Sequence, residues 1–222
     1  MTEHFDAVEF DPNNPEPRCP CVLLVDTSSS MRGAPIDALN EGLRLFQESL
    51  QEDETTLLRV EVALISFGGD ADLVTGGFIP ANDFTAPELV AQGLTPMGQA
   101  LIDALAYIEE RKQIYKEHGI PYYRPWMFLI TDGEPTDGEL WKEAAAQVHE
   151  AVESKRLAFF AVGVEGANFA VLEQISPRSP KRLSELRFQE MFLWLSSSLR
   201  SVSHSTPGDA VPLKDSGDWS EV

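Results

Sequence analysis

Oxygen-bearing side chains stand at three separate points of the chain, at Asp26, Ser28, Ser30, Thr95 and Asp132. The first three end an apolar run, VLLVDTSSSM, the fourth lies in the polar stretch GLTPMGQAL, and the last ends a second apolar run, FLITDGEPTD. Two carboxylates and three hydroxyls make an oxygen-only ligand set, which suits a hard divalent cation. With some contacts made through water, such a set fills most of an octahedron and leaves a position open, the arrangement that Mg²⁺ prefers.

Each of these motifs taken alone has a simpler interpretation. Ser and Asp residues that follow a strand often cap the next helix, and Thr95 before Pro96 has the type of a helix N-cap. Asp132 followed by Gly133 is also typical of a turn. The occurrence of all five residues together, each at the end of a strand or the start of a helix, favours the metal interpretation.

Hydrophobic patterning predicts the elements that position these residues. The apolar run at 21–26 is typical of a strand buried on both faces. An amphipathic stripe follows over 35–51, then a strand at 59–68 and, after a very short turn, an antiparallel strand at 71–80. Later segments predict a helix from Met97 to about Glu117, a strand at 126–132, a helix at 138–156, a strand at 157–164, and helices at 168–176 and 187–203.

This alternation predicts an α/β fold: a doubly wound, Rossmann-like, mostly parallel sheet with one antiparallel edge strand and helices on both faces. In such sheets ligands bind outside the carboxyl ends of the strands, where the winding direction switches, so we expect the polar residues to share one rim. The folded body is predicted to span 18–203. An acidic flexible N-terminus (1–17) and an acidic flexible tail (204–222) are predicted to flank it.

Net charge and composition narrow the choice of partners. The 222 residues contain 36 acidic and 17 basic side chains, a net charge of −19, which repels nucleic acid and anionic membranes. We see no secretory signal or apolar run long enough to span a bilayer, and the two cysteines do not suggest an oxidising compartment. We therefore expect a cytoplasmic protein. Cys19 and Cys21 could in principle bind zinc or form a redox pair, but further ligands at suitable spacing are missing, which favours strand packing.

The order of the five residues resembles a known pattern. DTSSS at 26–30, a distal Thr95 and a distal Asp132 in TDG are similar to the metal-ion-dependent adhesion site of von Willebrand factor type A (VWA) domains, over residues 18–203. The resemblance implies that Ser28, Ser30 and Thr95 approach the metal directly or by exchange with water, and that Asp26 and Asp132 act mostly through water. It further implies Mg²⁺, with Mn²⁺ or Ca²⁺ as alternatives, and a partner protein that supplies a Glu or Asp carboxylate.

Two longer segments narrow the resemblance. CPCVLLVDTSSSMRGAPIDALNEGL and RFQEMFLWLSSSLRSVS are similar to the bacterial tellurium-resistance, TerY-like branch of the family. That branch implies a stand-alone cytoplasmic protein associated with a protein kinase and a PP2C-type phosphatase. Ser29 departs from the pattern, since many relatives have Gly there, and its β-carbon restricts the loop backbone without removing a ligand.

Three classes of function remain open from the sequence. The first is a non-enzymatic, metal-dependent protein-binding module. The second is a Mg²⁺-dependent phosphatase or hydrolase with Asp26 as nucleophile or Asp132 holding the ion, although the motifs offer no His or Lys as general acid or base. The third is a phosphorylated scaffold of a protein kinase, with acceptors at 28–30 or 196–203.

Overall fold

The computed structural model describes residues 14–213 and 219–221. The strands are β1 (Cys19–Asp26), β2 (Val60–Gly68), β3 (Asp70–Leu73), β4 (Ile79–Pro80), β5 (Trp126–Thr131), β6 (Ala158–Gly163), β7 (Lys181–Leu183) and β8 (Ser220–Glu221). The helices are α1 (Ala34–Gln51), α2 (Glu54–Arg59), α3 (Met97–Glu117), α4 (Leu140–Glu153), α5 (Phe169–Ile175) and α6 (Phe188–Ser203), with a 3₁₀ helix at Ser29–Met31.

These strands form one sheet in the order β3-β2-β1-β5-β6-β7-β8, with β4 also paired to β2. The pairs from β2 through β1, β5 and β6 to β7 are all parallel, while β3 and β4 run antiparallel to β2. The predicted doubly wound, mostly parallel sheet is therefore confirmed. Because the chain moves from β1 to β2 on one side and later to β5 on the other, the winding direction switches between β1 and β5.

Strand β1 lies inside the sheet, between β2 and β5, and helices cover both of its faces. All eight of its residues are buried, as the absence of polar alternation predicts. On one face α1 and α6 pack together through Phe46 and Phe192, whose ring centroids lie 5.5 Å apart. A β-carbon at Gly42 of α1 would stand only 2.7 Å from Phe192, so glycine sets this close approach. Helices α3 and α4 cover the opposite face.

The predicted strand at 71–80 is divided into two short strands, β3 and β4, because the side chain of Thr75 interrupts the pairing with β2. Leu64 of β2 donates its backbone N–H to Thr75 Oγ1 at 3.0 Å, so a hydroxyl replaces the backbone partner that a continuous strand would provide. Gly76 follows with a φ of +68°, which turns the chain.

Patterning missed three further short elements. Helix α2 has only six residues, too few for an amphipathic stripe, and its N-cap Asp53 accepts from Thr56 N at 2.8 Å. Strand β7 has three residues. Strand β8 lies in the segment predicted as a flexible tail, yet it pairs antiparallel with β7 beside Trp219, which is 2% exposed.

The predicted boundaries at 17/18 and 203/204 remain predictions, and most of the predicted N-terminal segment lies outside the described residues. Cys19 and Cys21 are fully buried in β1, and burial raises the pKa of Cys19 to about 12, so its thiol stays protonated. Within the described ranges, none of the helices combines the length and the apolar content needed to cross a bilayer.

Candidate metal centre

The carboxyl end of β1 carries the first part of the site. Asp26 is fully buried, and its Oδ1 accepts a hydrogen bond from the backbone N–H of Ser28 at 2.8 Å. A carboxylate bonded to the N–H two residues later folds the chain into a tight turn. The turn leads into the 3₁₀ helix, and it brings the hydroxyls of Ser28 and Ser30 to 2.9 Å from each other.

The carboxyl end of β5 lies beside that of β1, because Val25 and Ile130 pair in the parallel register. Thr131 Oγ1 donates to Asp26 Oδ2 at 2.5 Å and accepts from Gly133 N at 3.1 Å. Thr131 thus orients the buried carboxylate of Asp26 by donating to Oδ2, the oxygen that Ser28 N does not contact. The sequence marked Thr131 only as a strand end, and the pairing of β1 with β5 is what reveals its role.

Ser30 joins the two strand ends. Its hydroxyl donates to Asp132 Oδ1 at 2.8 Å, in addition to its contact with the Ser28 hydroxyl. Four of the five predicted residues therefore form one chain of hydrogen bonds: Asp26, Ser28, Ser30 and Asp132.

Thr95 reaches the same place from the loop before α3. A β-carbon at Gly133 would stand 3.4 Å from Thr95 Oγ1 and 3.6 Å from Asp26 Oδ2, so both oxygens border the space above this glycine. The backbone N–H of Thr95 donates to Thr136 Oγ1 at 2.9 Å, and the backbone N–H of Thr136 donates to the Thr95 carbonyl at 2.9 Å. Thr136 is a positioning residue that the sequence pattern did not reveal.

The helix-cap interpretations do not describe these residues. Helix α3 has Pro96 at its N-cap position, and no side chain caps it. Ser28 occupies the N-cap position of the 3₁₀ helix, again without a hydrogen bond from its side chain to that helix. The hydroxyls of Ser28 and Thr95 are therefore not used to cap these helices.

Backbone hydrogen bonds fix the loop that carries Thr95. Gln92 N donates to the Thr27 carbonyl at 2.7 Å, and Ser29 N donates to the Gly93 carbonyl at 3.1 Å. Gly93 has a φ of +72°, and a β-carbon there would stand 2.5 Å from the backbone of Gly69. The loop is thus held against the serine turn by the main chain, so that the position of Thr95 does not depend on its own side chain.

The electrostatics of the site are those of carboxylates without a counter-charge. Burial raises the pKa of Asp26 to about 6, against hydrogen bonds from Thr131 and Ser28 that lower it, and the nearby charge of Asp132 adds to the increase. Burial also raises the pKa of Asp132. Neither carboxylate forms an ion pair with a basic residue of the described chain. A bound cation would supply the missing positive charge.

The donor set fits a hard divalent cation. All five side chains offer oxygen, and the absence of a side chain at Gly133 leaves space between Thr95 and Asp26. No group of three or more His, Cys, Asp or Glu residues in the described part of the chain is placed to hold a metal ion. The candidate centre is consistent with that finding, because three of its five candidate ligands are neutral hydroxyls and not His, Cys, Asp or Glu.

The fold and the order of these residues agree with the family comparison. The model of the family described as von Willebrand factor type A domain matches residues 21–190, so the chain belongs to this family. Inter-alpha-trypsin inhibitor heavy chain H4 of Sus scrofa is 27% identical over 146 residues, which are 62% of this chain and 15% of that protein. The chain therefore corresponds to a small part of this relative's length.

Two solved structures share the fold. The pilus adhesin SpaC of Lactobacillus rhamnosus GG aligns with a TM-score of 0.66 at 16% identity, over 85% of this chain and 32% of the adhesin. Proximal thread matrix protein 1 from the mussel byssus, whose structure is described as having a zinc-occupied MIDAS motif, aligns with a TM-score of 0.55 at 16% identity, over 83% of this chain and 48% of that protein.

Proposed function

We propose that this chain is a metal-dependent protein-binding module. Its divalent cation is held by Asp26, Ser28, Ser30, Thr95 and Asp132, and a Glu or Asp carboxylate of a partner protein completes the coordination. Mg²⁺ is the proposed cation, with Mn²⁺ or Ca²⁺ as alternatives. The observation that carries the proposal is the Ser30 hydroxyl, which lies 2.9 Å from Ser28 Oγ and 2.8 Å from Asp132 Oδ1 and so joins two distant chain segments into one oxygen cluster.

The chemistry of the donors supports recognition of a carboxylate. Hydroxyls are neutral, and the family resemblance implies that Asp26 and Asp132 act mostly through water. A bound cation would then keep much of its positive charge and attract an anionic ligand from outside the chain. The zinc-occupied MIDAS motif named for the mussel protein supports the presence of a divalent ion on this fold.

The contacts of Asp26 favour a binding role over phosphatase or hydrolase chemistry. Its two carboxylate oxygens already accept hydrogen bonds, Oδ1 from Ser28 N and Oδ2 from Thr131 Oγ1, and the side chain is fully buried. A nucleophilic carboxylate needs an oxygen that can reach a substrate. Asp26 is instead suited to orienting the serine turn.

The partner and setting that we propose are those of the tellurium-resistance, TerY-like branch: a protein kinase and a PP2C-type phosphatase, in the cytoplasm. Support comes from the segments at 19–43 and 187–203 that resemble this branch. The net charge of −19 affects how an acidic partner binds. The charge repels the partner at long range, which lowers the association rate. At short range the bound cation attracts one particular carboxylate, which increases specificity.

The decisive experiment measures partner binding with and without chelation. The chain, immobilised in Mg²⁺ or Mn²⁺, is expected to retain the host's kinase or phosphatase, to release it in EDTA, and to recover it when the metal returns. Thr95→Ala is expected to abolish binding, while Thr85→Ala, at an exposed threonine away from the site, leaves it unchanged. Partner binding that is indifferent to EDTA and to Thr95→Ala would contradict the proposal.

A further inference from the structure

A second site lies away from the metal centre, on the sheet face that packs against α6. A cavity of about 280 Å³ opens there between β6 and the C-terminal segment, with walls formed by Phe128, Phe160, Trp194, Leu213 and Trp219. The rings of Phe128 and Phe160 stack with centroids 5.0 Å apart, and Trp194 meets Trp219 edge to face at 5.5 Å. Flat aromatic walls of this kind suit a planar apolar group.

Positive charge stands at the mouth of this cavity. Arg178 and Lys181 are exposed and line it, and the Arg178 guanidinium lies 5.1 Å from the centroid of the Phe160 ring. Neither cation forms an ion pair within the described chain, although acidic residues outnumber basic ones by 36 to 17. In such an acidic protein two adjacent unpaired cations leave a local excess of positive charge.

An adjoining cavity extends the same feature. It has a volume of about 480 Å³, shares Phe160, Arg178 and Leu213 with the first, and adds Arg124 and Lys155. These two cations also lack ion pairs among the described residues. Asp209 is the acidic residue of its described lining, and its Oδ2 accepts from Thr206 N at 3.2 Å. Four cations that form no ion pair within the described residues thus line the two adjoining cavities.

We propose that the first cavity binds a small aromatic carboxylate. Its ring lies among Phe160, Trp194 and Trp219, and its carboxylate pairs with Arg178 and Lys181. A single negative charge fits better than a polyanion, because the net charge of −19 repels nucleic acid and other highly charged ligands.

The test uses 2-naphthoate as probe and its neutral isostere 2-naphthamide as control, with binding measured by calorimetry and by quenching of tryptophan fluorescence. We expect 2-naphthoate to bind about tenfold more tightly than the amide, since the charge-assisted contacts need the carboxylate. Arg178→Gln and Lys181→Gln are each expected to weaken naphthoate by about tenfold. Lys116→Gln removes the same charge from an exposed position outside the cavity and is expected to change nothing.

Circular dichroism checks the fold of every variant, and the exposure of Arg178 and Lys181 makes loss of fold unexpected there. The proposal fails if 2-naphthoate does not bind, if the amide binds equally well, or if both charge variants bind like the parent chain. EDTA is expected to leave the binding unchanged, which separates this site from the metal centre.

Discussion

Ser30 Oγ and Asp132 Oδ1 lie 2.8 Å apart although 102 residues separate them in the chain. Ser30 follows β1 and Asp132 follows β5, so this hydrogen bond reports that the ends of two parallel neighbours meet. The neighbouring Ser29 is exposed and makes no such contact. The three consecutive serines are therefore not equivalent, and this difference can be tested.

We expect Asp132→Asn and Ser30→Ala each to weaken Mn²⁺ binding by about tenfold or more, the usual effect of losing a group at or next to a metal. Ser29→Ala is the matched control and is expected to bind Mn²⁺ like the parent chain. Isothermal titration calorimetry measures all three. Equal loss in Ser29→Ala and Ser30→Ala would show that the geometry of the serine turn, and not the Ser30 hydroxyl, determines affinity.

Gly133→Ala tests the space between Thr95 and Asp26. The new methyl group would stand at ordinary contact distance, 3.4 Å from Thr95 Oγ1 and 3.6 Å from Asp26 Oδ2, so we expect the fold to tolerate it. Metal affinity is expected to fall, because the methyl group occupies the space that the proposed ion and its waters need. Thermal unfolding and Mn²⁺ titration are measured on the same protein. An unchanged Mn²⁺ affinity would place the ion elsewhere.

A buried charge network on β2 has a large predicted effect on stability. Glu61 is 3% exposed, and its two oxygens lie 3.3 Å from Arg18 Nε and 2.8 Å from Arg111 Nε, while Tyr115 also donates to it. Glu61→Gln removes the carboxylate that both buried guanidinium groups contact. We expect the free energy of unfolding to fall by about 3–5 kcal/mol in urea denaturation.

The control for this prediction is the exposed ion pair of Glu41 and Arg44, in which Glu41 Oε2 lies 2.7 Å from Arg44 Nη1. Glu41→Gln is expected to cost less than about 1 kcal/mol, because water and salt screen an exposed pair. If both substitutions lowered the free energy of unfolding equally, burial would not be the reason that the Glu61 network stabilises the protein.

Asp53 gives a prediction of pH dependence. Burial alone would raise its pKa, but hydrogen bonds from Thr56 and the proximity of His204 outweigh burial and lower the pKa to about 2. A carboxyl whose pKa falls on folding stabilises the protein above its unfolded pKa of about 3.9. This contribution is lost as the pH falls from about 4 through 2.

At neutral pH we expect Asp53→Ala to lower the free energy of unfolding by about 1 kcal/mol, through loss of the cap on α2. Asp53→Asn is expected to lose less, because its amide oxygen still accepts from Thr56 N. Urea denaturation at pH 7 and pH 3 measures both variants. The difference between Asp53→Ala and the parent chain is expected to shrink at the lower pH, and a difference that grows would contradict the assignment.

The sequence by itself determined the main elements and the identity of the candidate ligands. A short apolar run that lacks polar alternation and precedes turn-forming residues is typical of a strand covered on both faces, and β1 is one. Stripes at helical spacing gave α1, α3, α4 and α6, and the carboxyl ends of parallel strands brought Asp26 and Asp132 to one rim. These features depend on local periodicity and on topology rules, both of which can be read from one chain.

The tertiary structure alone decided which groups position those ligands. Thr131 acts on Asp26 and Thr136 on Thr95 only because strand register and loop packing bring them together. The pairing of β8 with β7 and the burial of Trp219 likewise depend on contacts that cross the fold. Segments of two or three residues carry no periodic pattern, and a hydrogen bond between distant residues depends on distances that no local pattern encodes.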